Sequence, residues 1–174
     1  MLSAIVLAPR QIETDVPPER AQEAVVRSLA VLVGAAVADL VRDACIVGPG
    51  GQRLDRVADQ AGCSLVEDDD PLRAVQAALR GARSDHVFLL RAGYAPTFGF
   101  IDEMTDWLAR ANGSAAALRR EGENAPLRLF PMLAPIAGVV GGRSECLALG
   151  ASDPARLASA LHAKTLRTRA RRLV

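Results

Sequence analysis

The chain has 174 residues, of which half are hydrophobic and only 3% aromatic, and its 21 basic and 20 acidic side chains give a net charge of +1. This length supports one substantial core, so we expect a single domain over residues 1–174. The balanced charge excludes a general electrostatic case for nucleic-acid binding. Three widely spaced cysteines argue against a disulfide framework or a zinc knuckle, and they predict buried thiols.

Short apolar runs alternate with helical segments in the first part of the chain. Strands are predicted over residues 2–7, 44–47, 63–66 and 86–90, because each is a compact apolar run typical of buried parallel strands. Helices are predicted over 19–40, 54–60, 71–80 and 100–111. Pro18 and Pro71 suit first helical turns, Asp70 is a candidate N-cap, and Gly62 is expected to end the second helix.

The last part of the chain predicts a mixed region. Two strands, over 115–118 and 127–129, are candidates for a hairpin, and another apolar run follows over 136–140. A short helix over 144–149 should end at Gly150, and a final helix should run from about 153 to 171. The apolar beginning has no basic leader, and charges interrupt the apolar stretch 24–41, so we expect a cytoplasmic protein with a buried first helix.

The alternation of strands and helices predicts the fold class. It is typical of an α/β three-layer sandwich, in which helices cover both faces of a mostly parallel sheet. Ligands of such sheets bind beyond the carboxyl ends of the strands. In this chain those ends carry Pro9 and Arg10, the turn 48–51, the acidic run 67–70, and the segment 91–93, and we expect the ends near Pro9, Val47 and Leu90 to converge on one cleft.

Three of these strand ends offer candidate binding groups. Gly48, Gly50 and Gly51 would let backbone N–H groups approach a phosphate or a base, although a plain turn explains them as well. The acidic run 67–70 could hold a divalent cation, but capping of the next helix is the favoured interpretation. Arg91 could hold a phosphate, or it could pair with a carboxylate such as Asp102.

The basic end of the chain has two interpretations. Lys164, Arg167, Arg169, Arg171 and Arg172 fall on the predicted final helix. An exposed basic face is the default for such a helix, and peripheral contact with an anionic membrane surface is the alternative.

Taken together, the segments resemble the small bacterial family-2 glycosyltransferases, which have a nucleotide-sugar-binding GT-A fold related to the Rossmann fold. IVLAPRQIE is similar to the end of their first strand, and SLAVLVGAAVADLVRDACIVG to the helix and strand that follow. AALRGARSDHVFLLRAGYAPTFGFID looks like the segment that carries the family's metal-binding Asp-x-Asp motif. AGVVGGRSECLALGASDPARLASAL resembles the acceptor-side segment, and the closing LHAKTLRTRARRLV resembles the basic tail.

The resemblance implies roles for individual residues. It assigns nucleotide binding to Pro9, Arg10, Glu13, Gly48, Gly50, Gly51, Arg91 and Gly93, and the catalytic base to Asp153. Arg91, Ala92 and Gly93 stand where the family has its Asp-x-Asp motif, so no metal site of that kind and no certain cofactor are implied. A fixed arginine could substitute for the metal at a diphosphate leaving group.

Three functions follow from these residues. The first is a glycosyltransferase that takes a sugar from a nucleotide sugar, or binds a nucleotide diphosphate, without a standard metal site. The second is a catalytically inactive relative that serves as a binding module or a homo-oligomer. The third, ranked last, is a nucleotidylyltransferase of the molybdenum-cofactor type, because that class has a glycine-rich loop after its first strand and Pro9 to Asp15 contain no glycine.

Overall fold

The computed structural model describes residues 1–9, 18–110, 114–122 and 133–173, and it contains an α/β arrangement. The first elements in chain order are β1 (Leu2–Leu7), α1 (Pro18–Val37), β2 (Val41–Gly48), α2 (Leu54–Ala61), β3 (Ser64–Glu67), α3 (Pro71–Gly81) and β4 (His86–Arg91). They are followed by β5 (Tyr94–Pro96), α4 (Phe100–Arg110), β6 (Ala116–Arg120), β7 (Ile136–Gly142), α5 (Arg143–Leu149), α6 (Pro154–Ala160) and β8 (Lys164–Arg172). The predicted strand over 127–129 lies outside the described residues.

The strands form one sheet in the order β3-β2-β1-β4-β7-β6-β8-β5. The pairs β1–β2, β1–β4, β2–β3 and β6–β8 are parallel, whereas β7 runs antiparallel to both β4 and β6, and β5 runs antiparallel to β8. Because two reversals restore the direction, β6 and β8 run the same way as β1 to β4. The prediction of a mostly parallel sheet is therefore confirmed, and six of its strands end at one edge.

Side chains from the two faces of the sheet build two cores. In β4, Phe88 and Leu90 pack on the face covered by α1, α2 and α4. Val87 and Leu89 point to the opposite face, which α3, α5 and α6 cover. This period-2 alternation in a strand buried on both faces produces the three predicted layers.

Local signals set the helix boundaries. Asp70 accepts backbone hydrogen bonds from Leu72 and Arg73 at the start of α3, as its position predicts. Gly62 ends α2 with a φ of 65°, a left-handed conformation that glycine adopts without strain. The four predicted strands and helices of the first part of the chain are therefore confirmed, with shifts of a few residues at their ends.

The predicted final helix is wrong. The structure has the seven-residue helix α6, a turn with His162 at a φ of 50°, and then the nine-residue strand β8. In β8, Leu166 and Ala170 are buried and Thr168 lies between them, so an apolar face alternates with arginines at period 2. The edges of β6 and β5 supply backbone partners for this segment. The basic helix proposed for contact with a membrane surface therefore does not exist.

The segment 24–41, which the sequence predicts as a buried helix, corresponds mainly to α1. In the described part of the chain, no helix combines the length and the apolar character that a membrane crossing requires.

Candidate functional site

A cleft of about 660 Å³ opens at the edge of the sheet where β1, β2 and β4 end. Its floor includes residues 7–9 at the end of β1, Val47 in β2, and residues 91–93 at the end of β4. Its walls come from the first turns of α1, α3 and α6 and from the ends of β6 and β8. The predicted convergence of strand ends on one hollow is confirmed.

Arginines dominate the charge of this cleft. Strands β4, β6 and β8 all run toward it, and each ends on an arginine that lines it: Arg91, Arg120 and Arg172. Arg20, in the first turn of α1, lines it as well. Among the described residues of the lining, Asp153 is the single carboxylate. A concave site with this excess of fixed positive charge attracts anions.

Arg91 and Asp153 form an ion pair inside the cleft. Arg91 Nη2 lies 2.5 Å from Asp153 Oδ1, and the two side chains are 29% and 32% exposed. The same oxygen accepts a hydrogen bond from the Ala155 backbone N–H at 3.3 Å, so Asp153 is also the N-cap of α6. Of the two roles predicted for Arg91, pairing with a carboxylate is present in the structure, and the partner is Asp153 rather than the exposed Asp102.

A second group in the cleft consists of Tyr94, Arg120 and Arg172. The Arg120 guanidinium carbon lies 4.5 Å from the centre of the Tyr94 ring, a cation–π contact. Tyr94 stands opposite Arg172 in the antiparallel β5–β8 pair. The Nε of Arg120 is buried and has no hydrogen-bond partner among the described residues.

Sequence reasoning missed Arg20, Tyr94, Arg120 and Arg172. For the two strand-end arginines a signal existed, because the rule that ligands bind beyond parallel strand ends applies to β6 and β8 as well. Using this signal requires β8 to be recognised as a strand and the direction of β6 to be known, but the sequence predicts a helix up to about residue 171, and the direction of β6 depends on its partners.

The glycine turn at the end of β2 does not line the cleft. Val47 lines the cleft, but Gly48, Gly50 and Gly51 do not. A Cβ on Gly48 would lie 2.6 Å from Leu54 Cδ1 and 3.1 Å from the Ala8 Cβ, so a side chain at this position would require its packing neighbours to shift. Gly50 N–H donates to Asp69 Oδ1 at 3.3 Å, and Gly51 has a φ of 81°. These contacts favour the simple-turn interpretation.

Gly93 bends the chain directly beneath the cleft. Its φ of 82° lies in the left-handed region, which favours glycine. Its N–H donates to the Ala24 carbonyl at 3.1 Å and to Ser28 Oγ at 3.0 Å. This turn joins β4 to β5 and so places Arg91 and Tyr94 in the same cleft. Arg10 and Glu13 lie outside the described residues.

The acidic run 67–70, a candidate for a divalent cation, lies at the start of α3. In the acidic run, Asp70 caps α3, and Asp68 pairs with Arg73 at 2.9 Å, so these two carboxylates serve the helix start. Groups of three or more metal-binding side chains do not occur in the described ranges. Hard cations require several oxygen ligands, and the described lining of the cleft supplies one carboxylate.

No family model and no curated protein matches the chain by sequence. Solved structures do match its fold. HddC from Yersinia pseudotuberculosis, complexed with GMP-PN, superposes with a TM-score of 0.63 at 8% identity over 99% of this chain and 94% of that one. 4-Diphosphocytidyl-2C-methyl-D-erythritol synthase from Anaerococcus prevotii DSM 20548 gives 0.57 at 9% identity, over 95% and 87%.

A glycosyl-transfer enzyme matches over a smaller share of its length. Glucosyl-3-phosphoglycerate synthase from Mycobacterium tuberculosis, in complex with Mn²⁺, UDP and phosphoglyceric acid, gives a TM-score of 0.52 at 16% identity. The match covers 83% of this chain but only 57% of the synthase. The chain thus has the GT-A-like fold of nucleotide-diphospho-sugar transferases, as its resemblance predicts, and spans little more than half of that enzyme.

Proposed function

We propose that this protein binds a nucleotide-diphosphate sugar in the cleft and transfers the sugar to an acceptor, with arginines in place of a metal ion. One observation carries the proposal: the strand ends of a GT-A-like fold converge on a cleft whose described lining contains four arginines and one carboxylate. A structural neighbour supports it, since glucosyl-3-phosphoglycerate synthase has been solved in complex with UDP.

The geometry suggests how the donor lies. The apolar floor at Pro9 and Val47 suits a nucleoside, with Arg10 and Glu13 as the proposed polar contacts beyond β1. The diphosphate then lies over the end of β4, where Arg91 and Gly93 are, with Arg20 of α1 on the adjacent wall. The positive end of the α1 helix dipole adds to the positive potential that these arginines create at the proposed diphosphate position.

The chemistry needs stabilisation of a leaving group. In the transfer, the bond between the anomeric carbon and a phosphate oxygen breaks, and its electron pair leaves with the diphosphate. The acceptor oxygen forms the new bond and loses its proton to a base, for which Asp153 is the proposed group. A guanidinium held in a partly buried site stabilises the charge that develops on the diphosphate.

Calorimetric titration with UDP and with GDP tests the proposal. We expect one of them to bind equally well in manganese and in EDTA, and Arg91→Gln to weaken that binding by about tenfold or more. Arg110→Gln is the matched control, because Arg110 is an exposed arginine that pairs with Asp106 on the outer helix α4. Absence of heat and of a thermal shift with both nucleotides, with and without manganese, would overturn the proposal.

An activity assay distinguishes a sugar transferase from an inactive protein that only binds the nucleotide. Incubation with UDP- and GDP-sugars, followed by chromatography for released nucleoside diphosphate, detects transfer. Tight binding without release in the presence of candidate acceptors would instead support the inactive binding module.

A further inference from the structure

We infer that Tyr94, Arg120 and Arg172 form a second anion subsite in the cleft, which receives the phosphate group of the acceptor. The inference rests on the proposed function, because it names the chemical class of the acceptor in that transfer. It goes beyond the donor site, which lies over the ends of β1 and β4.

The charge distribution separates the two parts of the cleft. Arg91 is already paired with Asp153. Arg120 and Arg172 have no carboxylate partner among the described residues, and the Nε of Arg120 is buried without a hydrogen bond there. Leaving a charged donor buried and unpaired is costly, and an anion from outside the chain removes that cost. A phosphate monoester, with about two negative charges, matches two guanidinium groups.

The register of the sheet brings the three side chains together. Arg120 pairs with Ala170 in the parallel β6–β8 ladder, and Tyr94 pairs with Arg172 in the antiparallel β5–β8 ladder. Paired residues project to the same face, and Ala170 and Arg172 share a face because they are two residues apart. Tyr94, Arg120 and Arg172 therefore project to one face. The Tyr94 ring holds the Arg120 guanidinium at 4.5 Å and orients its donors.

The distance from the donor site suits an acceptor. Strand β7 lies between β4 and β6, so the backbones at Arg91 and Arg120 are separated by two strand spacings, roughly 10 Å. Both residues end strands that run in the same direction, and both line the cleft. The transferred sugar would lie between the diphosphate at Arg91 and the acceptor phosphate at Arg120 and Arg172.

Calorimetry with glycerol 3-phosphate as the probe tests the inference. The probe is titrated into the wild-type protein with and without saturating UDP or GDP, whichever nucleotide binds, and glycerol serves as the uncharged control. We expect the probe to bind the nucleotide-loaded protein, and glycerol not to bind. Arg172→Gln and Arg120→Gln should each weaken probe binding at least tenfold more than they weaken nucleotide binding, whereas Arg91→Gln should do the reverse.

The outcomes distinguish this inference from the proposed function. If the nucleotide binds but displaces the probe, there is one anion site and the inference is wrong while the proposed function stands. If neither nucleotide binds, the proposed function fails first, and the acceptor assignment fails with it. The competition between nucleotide and probe is measured on the wild-type protein and needs no variant. Arg172 is exposed, so Arg172→Gln should fold. The test therefore remains decisive even if Arg120→Gln fails to fold.

One further arm identifies the source of the phosphate. Phosphatidylcholine vesicles with and without phosphatidic acid are sedimented with the nucleotide-loaded protein. Retention on the phosphatidic-acid vesicles that Arg172→Gln abolishes supports the subsite with a lipid-borne phosphate. Binding of glycerol 3-phosphate without vesicle retention supports it with a soluble acceptor, and absence of both overturns the inference.

Discussion

The carboxylate of Asp153 is shared between Arg91 and the first turn of α6. Its Oδ1 accepts from Arg91 at 2.5 Å and from the Ala155 N–H at 3.3 Å. A bound diphosphate would compete with this carboxylate for the same guanidinium. The pair therefore holds Arg91 in place in the unliganded protein, and in the proposed reaction it must rearrange if Asp153 is to accept a proton from the acceptor.

Asp153→Asn separates these two roles. Asparagine is as good an N-cap as aspartate, so α6 should be retained. Removal of the charge frees Arg91, and nucleotide diphosphate should bind about fivefold more tightly, equivalent to roughly 1 kcal/mol for a partly exposed pair. Loss of the proposed base should reduce transfer by about a hundredfold or more. Calorimetry gives the affinity, and nucleotide release gives the rate.

The matched control for this change is Asp106→Asn, an exposed aspartate paired with Arg110 outside the cleft. It should alter neither quantity. A Kd for Asp153→Asn equal to that of the wild type would show that the ion pair does not compete with the ligand. An unchanged transfer rate would assign the base to another residue.

Some residues of the candidate site could be predicted from the sequence, and others could not. Arg91 follows from a local signal, an arginine that interrupts an apolar run where a parallel strand must end. Its bond to Asp153 joins residues 62 positions apart, and sequence spacing cannot reveal such a pair. Arg120 depends on the direction of β6, which is set by its pairing with β7 and β8 rather than by its own residues.

At the scale of elements, β8 shows where local patterns fail. Residues 164–172 contain four arginines, which have high helix propensity, and they continue a segment whose Leu157 and Leu161 are at helical spacing. The same residues place Leu166, Thr168 and Ala170 at period 2. Both patterns are compatible with the sequence, and the open edges of β6 and β5 decide in favour of the strand. The strands and helices of the first part were predictable because each pattern had one interpretation.

Glu103 of α4 links this helix to β8 through hydrogen bonds. Its carboxylate accepts from the backbone N–H groups of Arg167 at 2.7 Å and Thr168 at 2.9 Å, and from the Thr168 hydroxyl at 2.7 Å. Burial opposes ionisation of Glu103, but these hydrogen bonds and the charge of Arg167 prevail and lower its pKa below the ordinary 4.5. A lowered pKa means that the ionised form stabilises the folded state.

This shift predicts a pH-dependent effect of Glu103→Gln. The stabilising contribution of the carboxylate is present above its unfolded-state pKa of 4.5 and is lost as the pH falls through the lower folded-state value. Near pH 7 the variant should therefore be less stable than the wild type by about 1–2 kcal/mol. At an acidic pH below the folded-state pKa the difference should become much smaller, because the wild-type carboxyl is then protonated. Urea unfolding at the two pH values measures it.

Asp102→Asn provides the control, since Asp102 is an exposed carboxylate one residue away on the same helix. It should leave the stability within about 0.5 kcal/mol of wild type at both pH values. A Glu103→Gln effect of equal size at both pH values would mean that the glutamine loses packing rather than charged hydrogen bonds.

At the scale of the whole molecule, the two cores and the cleft are parts of one sheet. The core residues of β1, β2 and β4 end directly beneath the cleft floor, so a ligand in the cleft contacts the strands that hold both cores. This general arrangement was predictable, because alternating apolar runs specify a parallel sheet and parallel strand ends specify the ligand edge. The pairings of β5 to β8, which add Arg120 and Arg172 to that edge, were not.

The reactivity of Cys146 can show whether a ligand in the cleft stabilises the core on the α3, α5 and α6 face of the sheet. It lies on α5 and is fully buried in the core that α3, α5 and α6 form with the sheet, and burial together with the nearby Glu145 raises its pKa to about 11. Its thiol should react with an aromatic disulfide reagent only when the fold opens. The half-buried Cys63 should react in the folded protein, so the variant Cys45→Ala/Cys63→Ser isolates the Cys146 signal.

Ligand binding should then slow Cys146 labelling by a factor that grows with the ligand concentration. A ligand that binds only the folded state reduces the opened population by the factor 1 + [L]/Kd, about a hundredfold at a hundred times the Kd. We expect this factor with UDP or GDP, whichever binds in calorimetry, and no slowing with uridine or guanosine at the same concentration. A labelling rate that nucleotide leaves unchanged, despite binding, would show that Cys146 is exposed by a local opening of α5 that does not involve the cleft. A hundredfold slowing would show that the sheet edge that forms the cleft and the buried core around Cys146 open as one cooperative unit.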